Sequence, residues 1–154
     1  MNHNRIIIYF IIGLSFLFSR SFDIKDIPVQ ENGRIKPLDT FARNHLLAMH
    51  GKRTLKSSAL PDDFKVNKLS AVDWLIDISM HPNDADKYKV FNIKNPEIVG
   101  SLGLTWNSDH MYNRMDILIG LQHQLEYIKK IQFMDKEDLN HFDEGMLNLY
   151  KNVI

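Results

Sequence analysis

The chain contains no cysteine. That absence removes disulfides, zinc–thiolate sites, thiol nucleophiles and covalent haem attachment through CxxCH, so the chain is neither a c-type cytochrome nor a thiol oxidoreductase. An oxidising compartment remains compatible with a protein that has no thiols to oxidise. Excess charge of either sign is missing too, since 19 basic residues balance 19 acidic ones. No basic patch is interleaved with aromatics, and the clusters "GKRTLK" and "IKK" read as solvated loop and helix faces, which argues against nucleic acid as a partner. Glycine-rich phosphate loops, serine nucleophile elbows and HExxH pairs are absent. Tryptophan is scarce, and long apolar runs are missing except for one at the start.

What is present begins with that run. Met1 to Ser21 reads "MNHNRIIIYFIIGLSFLFSRS": a polar start carrying Arg5, an apolar stretch from Ile6 to Phe18, then Ser19 and Ser21 at the −3 and −1 positions of a cleavage site. As a helix this stretch of about thirteen residues reaches about 20 Å, short of a hydrocarbon core of about 30 Å. Cleavage is therefore favoured over an uncleaved anchor, although Arg20 is an unusual residue between the two serines. Residues 1–21 read as a signal peptide or membrane anchor, in the form of an N-terminal hydrophobic leader helix. Residues 22–154 read as an extracytoplasmic domain, exported to the outer face of a bacterial cytoplasmic membrane.

Downstream, "IPVQENGRIKP" gives two β-prone runs around Asn-Gly, the pair that favours positive φ in a two-residue hairpin turn. Strand alternation puts Ile35 on one face and Arg34 with Lys36 on the other. Pro37 ends the strand and suits the opening of a helix, "LDTFARNHLLAMHG", with Leu38, Phe41, Ala42, Leu46 and Met49 near one face and Gly51 as its stop. "KRTLKSSALPDDFKVNK" is polar, broken by Pro61, and reads as loop with at most a brief strand. Ser70 and Asp73 form a capping pair that opens the helix "AVDWLIDISM", stopped by "HPND". "YKVFNI" reads as a strand, and "NPEIVGSLGL" opens on Asn95 as cap with Pro96 at the first helical position. Met111, Met115, Leu118, Leu121, Leu125 and Ile128 recur at three- or four-residue steps and predict one long amphipathic helix. A last helix is predicted over roughly Lys136 to Asn152. The fold class is mainly α: a small helical domain with a short β-hairpin near its start.

Side chains able to carry chemistry are few. His45 and His50 lie about 140° apart around a helix, and the remaining histidines form no ligand pattern, so surface or capping roles are favoured over metal binding. Asp62–Asp63 and Glu137–Asp138 fall in a loop and at a helix start, where capping explains them. Met111, Tyr112 and Met115 could line an apolar groove, but helical spacing assigns them to a core face. Arg34, Lys36 and Arg43 gather positive charge beside a rigid turn, where they could grip lipid phosphates, haem propionates or an acidic protein surface. Solvated strand and helix residues are the plainer reading, because no glycine nest accompanies them.

The stretch "IPVQENGRIKPLDTFAR" resembles the "PVQ-x-x-GR-x-KPLDT-x-AR" segment in the extracytoplasmic region of Ccs-type (System II, ResB/CcsA-like) cytochrome c biogenesis proteins. Further segments follow in the same order: "AVDWLIDISMHP", "KVFNIKNPEIVGSLGL" and, more weakly, "FDEGMLNLYKNV". The motif residues are Pro28, Val29, Gln30, Gly33, Arg34, Lys36, Pro37, Leu38, Asp39, Thr40 and Arg43, then Trp74, Asn95, Pro96 and Glu97. That family joins haem to apocytochrome thiols outside the cytoplasmic membrane, using a tryptophan-rich haem-binding run and membrane histidines. These residues resemble its extracytoplasmic region alone, without the polytopic haem-handling part. The tryptophan-rich run has no counterpart among them, Trp74 and Trp106 standing apart, so haem ligation and synthase activity transfer to no residue here.

The resemblance implies a non-catalytic module of a cytochrome c assembly system. Its partners would be a membrane-embedded haem-handling subunit and apocytochrome c, at the membrane surface, with haem bound by the partner system and no cofactor by this chain alone. The alternative is an exported helical module that binds an anionic small ligand or lipid head group through Arg34, Lys36 and Arg43. An enzyme ranks third, because no nucleophile–base pair or metal triad can be assembled from the sequence.

Overall fold

A computed structural model describes residues 22–154; the leader helix expected over residues 1–21 lies outside them. Six α-helices and six strands of at most four residues follow one another, which makes the described chain mainly helical with short β elements. Among the described residues, no helix is long and apolar enough to cross a membrane. The chain divides into two compact units, one ending at Leu38 and one running from Asp39 to Ile154.

In the first unit Asp23 accepts a hydrogen bond from the Lys25 backbone N–H at 3.0 Å and so opens a 3-10 turn, Ile24–Asp26. The hairpin follows as expected, with β1 (Pro28–Glu31) antiparallel to β2 (Arg34–Pro37). Asn32 (φ 51°) and Gly33 (φ 75°) supply the two left-handed positions that a two-residue turn between twisted strands requires. Register pairs Glu31 with Arg34, Val29 with Lys36 and Pro28 with Pro37. The Leu38 N–H reaches the Ile27 carbonyl at 2.8 Å and carries the ladder one step further.

All but the first residue of α1 (Leu38–His50) belongs to the second unit, and its Ala42 and Leu46 are wholly buried. Gly51 (φ 74°) ends it, donating to the Leu47 carbonyl at 2.9 Å. The stretch expected to be loop instead forms a ribbon, with β3 (Thr54–Lys56) paired to β4 (Lys68–Ser70). Each strand buries one residue, Leu55 or Leu69, so three-residue strands leave no alternation long enough to read.

α2 (Ala71–Met80) starts at the Ser70 cap, where the Asp73 N–H donates to Ser70 Oγ at 3.1 Å, and it buries Ala71, Val72 and Trp74. A short α3 (Pro82–Ala85) completes the "HPND" stop. β5 (Lys89–Asn92) pairs with β6 (Met111–Asn113) through a bulge between Lys89 and Phe91. Between them α4 (Pro96–Ser101) begins as expected at Asn95, which accepts from the Glu97 N–H at 2.9 Å.

The long helix differs from expectation at its start and in its face. α5 (Arg114–Gln132) begins after β6, capped by Asn113, so Met111 and Tyr112 belong to a strand. Its buried stripe is Ile117, Gly120, Leu121, Ile128 and Ile131, whereas Met115 and Leu125 are exposed. Gly120 explains the displaced stripe: the Leu102 carbonyl occupies the place of a side chain, and an apolar count passes over glycine. α6 (His141–Val153) carries a full capping box between Asn140 and Asp143 and packs on α5, where the Tyr127 hydroxyl donates to the buried Asp143 carboxylate. Arg114 spans three elements, its Nε on the Val153 carbonyl at 2.7 Å and its Nη1 on Asp86 at 3.1 Å.

Candidate functional site: a lysine-walled cavity

The family-motif residues occupy structural positions. Pro28, Val29, Gln30, Gly33 and Pro37 build the hairpin, and Leu38, Asp39 and Thr40 form the first turn of α1. Trp74 is 3% exposed in α2, and Asn95, Pro96 and Glu97 make the capped start of α4. In the hairpin Lys36 forms an ion pair with Glu31, while Arg34 is exposed opposite Glu31 in the ladder. In the second unit Arg43 holds Asp39 one turn earlier at 2.8 Å. Two of the three cations proposed from sequence thus already have carboxylate partners.

A different group of cations surrounds a cavity of about 390 Å³ in the second unit. Its wall draws on five segments: the end of α1 and its exit (His50, Lys52), β3 (Lys56), the turn after β3 (Ser58, Ala59), β5 (Lys89, Asn92), and the approach to β6 (Asn107, Asp109, Met111). The β5 bulge makes this wall possible. Residues three apart in a regular strand point to opposite faces, and one inserted residue returns them to the same face. Val90 is that insertion, so Lys89 and Asn92 both line the cavity while Val90 and Phe91 are both buried. Asn107 rigidifies the opposite side, its amide donating to the Met111 carbonyl at 3.2 Å and its carbonyl accepting from the Met111 N–H at 3.3 Å.

Three lysines face a single carboxylate, that of Asp109, leaving two positive charges in surplus. Among the described residues none of these lysines has an ion-pair partner, and Lys56 lies opposite Lys68 in the β3–β4 ladder, a juxtaposition that raises the local potential further. His50 is 7% exposed at the floor. Burial lowers its pKa, the Val90 backbone carbonyl opposes that shift through a hydrogen bond, and Lys52 adds to it. A neutral imidazole has one donor and one acceptor nitrogen. The His50 Nδ1 is buried and has no hydrogen-bond partner among the described residues. Asn92 Oδ1 is likewise buried without a partner.

His50 was expected at the surface or in a cap, and the structure corrects this: the last residue of α1 turns inward beneath β5. Lys52 and Lys56 were visible in "GKRTLK", but joining them to Lys89 and Asn92 requires the ribbon and the bulge, neither of which the sequence pattern reveals. Among the described residues no group of three histidine or carboxylate side chains is placed to hold a metal ion. Comparison with protein-family models, with curated proteins and with solved structures finds no match.

Proposed function

We propose that the chain is a non-catalytic extracytoplasmic module of a cytochrome c assembly system, acting by protein contact with a membrane-embedded haem-handling subunit. The observation that carries this reading is the ordered series of motif segments from "PVQENGRIKPLDTFAR" to "NPEIVGSLGL". Its support in the structure is that these segments supply a rigid turn, two capped helix starts and a buried tryptophan, as a scaffold for contact would need. The hairpin offers Arg34 and a 76% exposed Ile35 beside its tight turn, a mixed basic and apolar tip suited to another protein. Haem, in this reading, belongs to the partner, and apocytochrome c is the downstream client at the outer face of the cytoplasmic membrane.

The alternative of an anionic ligand gripped by Arg34, Lys36 and Arg43 has less support, because Lys36 and Arg43 already hold carboxylates. Affinity purification from solubilised membranes should recover a cytochrome-assembly subunit, and Ile35→Asp with Arg34→Glu should release it. Deleting the gene should reduce covalent haem staining of cytochromes. Unchanged staining together with no such subunit in the purified material refutes the proposal.

A further inference from the structure

We propose that the assembly subunit is held by the uncharged face of the hairpin, and that the subunit offers this face an apolar recess and not an acidic surface. The inference rests on the assembly role proposed above and names the side of the ribbon that makes the contact. Alternation along β1 and β2 divides their side chains between two faces, and the register joins each set across the ladder. One face carries Val29, Glu31, Arg34 and Lys36, and the other carries Pro28, Gln30, Ile35 and Pro37.

The two faces differ in charge and in cover. The first gathers every charged residue of both strands, pairs the Lys36 ammonium with the Glu31 carboxylate, and is half-buried at all its positions but Arg34. On the second, no side chain is charged and all four are exposed, Ile35 to 76%. A single exposed isoleucine is ordinary on a protein surface. This one belongs to a continuous strip, with Gln30 directly opposite, Pro37 next along the same side of its strand, and Pro28 opposite Pro37.

That division decides the chemistry of the contact. An acidic protein surface or an anionic bilayer asks for free cations, whereas Lys36 is already paired and, with Arg34, lies on the face away from Ile35. An apolar recess asks for what the open face has. Burying Ile35 removes apolar area from water, and the two prolines order no side-chain rotamers when they are covered. Gln30 adds an uncharged hydrogen-bonding group at the rim.

The chain contains no cysteine, so one introduced cysteine carries a photoreactive label at a single place. The test uses the full chain in intact membranes, followed by solubilisation and purification. A label at Gln30→Cys should crosslink the cytochrome-assembly subunit several-fold more than one at Arg34→Cys. Ile35→Thr keeps a β-branched strand residue, and Ile35→Asp places a charge on the open face. Each should lower recovery of the subunit at least about tenfold with the melting temperature unchanged, since the side chain is exposed. Arg34→Gln, and Glu31→Gln with Lys36→Gln, should leave recovery within about twofold. Recovery should also persist in about 1 M salt, where charges are screened within about 3 Å.

A wild-type chain that recovers no assembly subunit refutes the assembly role, and this contact with it. Recovery that survives both Ile35 variants, or that is lost in salt or in the Arg34 or Glu31–Lys36 variants, keeps the assembly role and overturns the assignment of the face. A Gln30→Cys label that couples to lipid and not to the subunit overturns it in favour of the bilayer.

Discussion

Two glycines show how one missing methyl group positions an element. A Cβ at Gly120 would lie 2.5 Å from the Leu102 carbonyl oxygen and 2.9 Å from its Cα. Replacing glycine by alanine inside a helix ordinarily gains about 1 kcal/mol, but overpacking costs about 1–3 kcal/mol, and a backbone obstacle has little room to move. Gly120→Ala should therefore destabilise the fold by about 1–2 kcal/mol in urea unfolding. At Gly145 the obstacle is Ile98 Cδ1 at 2.6 Å, the far end of a side chain that can rotate. Gly145→Ala should be close to neutral or mildly stabilising in the same assay. Sequence reading reached Gly33 and Gly51, whose neighbours betray a turn and a helix end. It could not reach Gly120, because the reason for that residue is 18 positions away at Leu102. The candidate site was illegible for the same cause: its lysines are ordinary surface residues until β3 and the β5 bulge bring them together.

Helix boundaries were the most legible elements, because caps are local chemistry. Ser70 and Asn95 were identifiable from the residues just after them, and both make the expected hydrogen bonds. The start of α6 was blurred by the 3-10 turn Lys136–Asp138, which lengthened the predicted helix in the N-terminal direction. Asn140 there accepts from the Phe142 and Asp143 N–H groups, and the Asp143 carboxylate accepts from the Asn140 N–H in return. Asn140→Ala should cost about 1 kcal/mol, and Asn140→Ser should recover most of it, as read by chemical denaturation. Tyr127→Phe removes the hydroxyl that Asp143 accepts from on α5, and should cost about 1.5–3 kcal/mol, the range for a hydrogen bond to a charged group. The strands β3, β4 and β6 escaped prediction because three residues cannot establish a period of two, and because Met111 fits the helical spacing of α5 equally well.

For the molecule as a whole, balanced charge leaves pH sensitivity to individual groups, and His50 is the clearest of them. Its folded pKa is lowered from 6.5, chiefly by burial. The unfolded chain therefore binds the proton first, so His50 costs no stability above pH 6.5 and an increasing amount as pH falls from there through the lowered folded value. The melting temperature should decline on acidification below that point and level off as the folded His50 becomes protonated, as followed by its ring resonances; a melt that is flat across this window would contradict the assignment. The paired prolines of the hairpin set a different limit on how the protein meets its surroundings. Since Leu38 and Ile27 are hydrogen-bonded across the ladder, the adjacent Pro28–Pro37 pair sits where amide hydrogens would point outward along both margins, and neither proline has one. No foreign strand can dock along either margin with an unbroken set of main-chain bonds, so whatever recognises this ribbon must do so through its protruding side chains, and stacking into fibrils is discouraged from both sides.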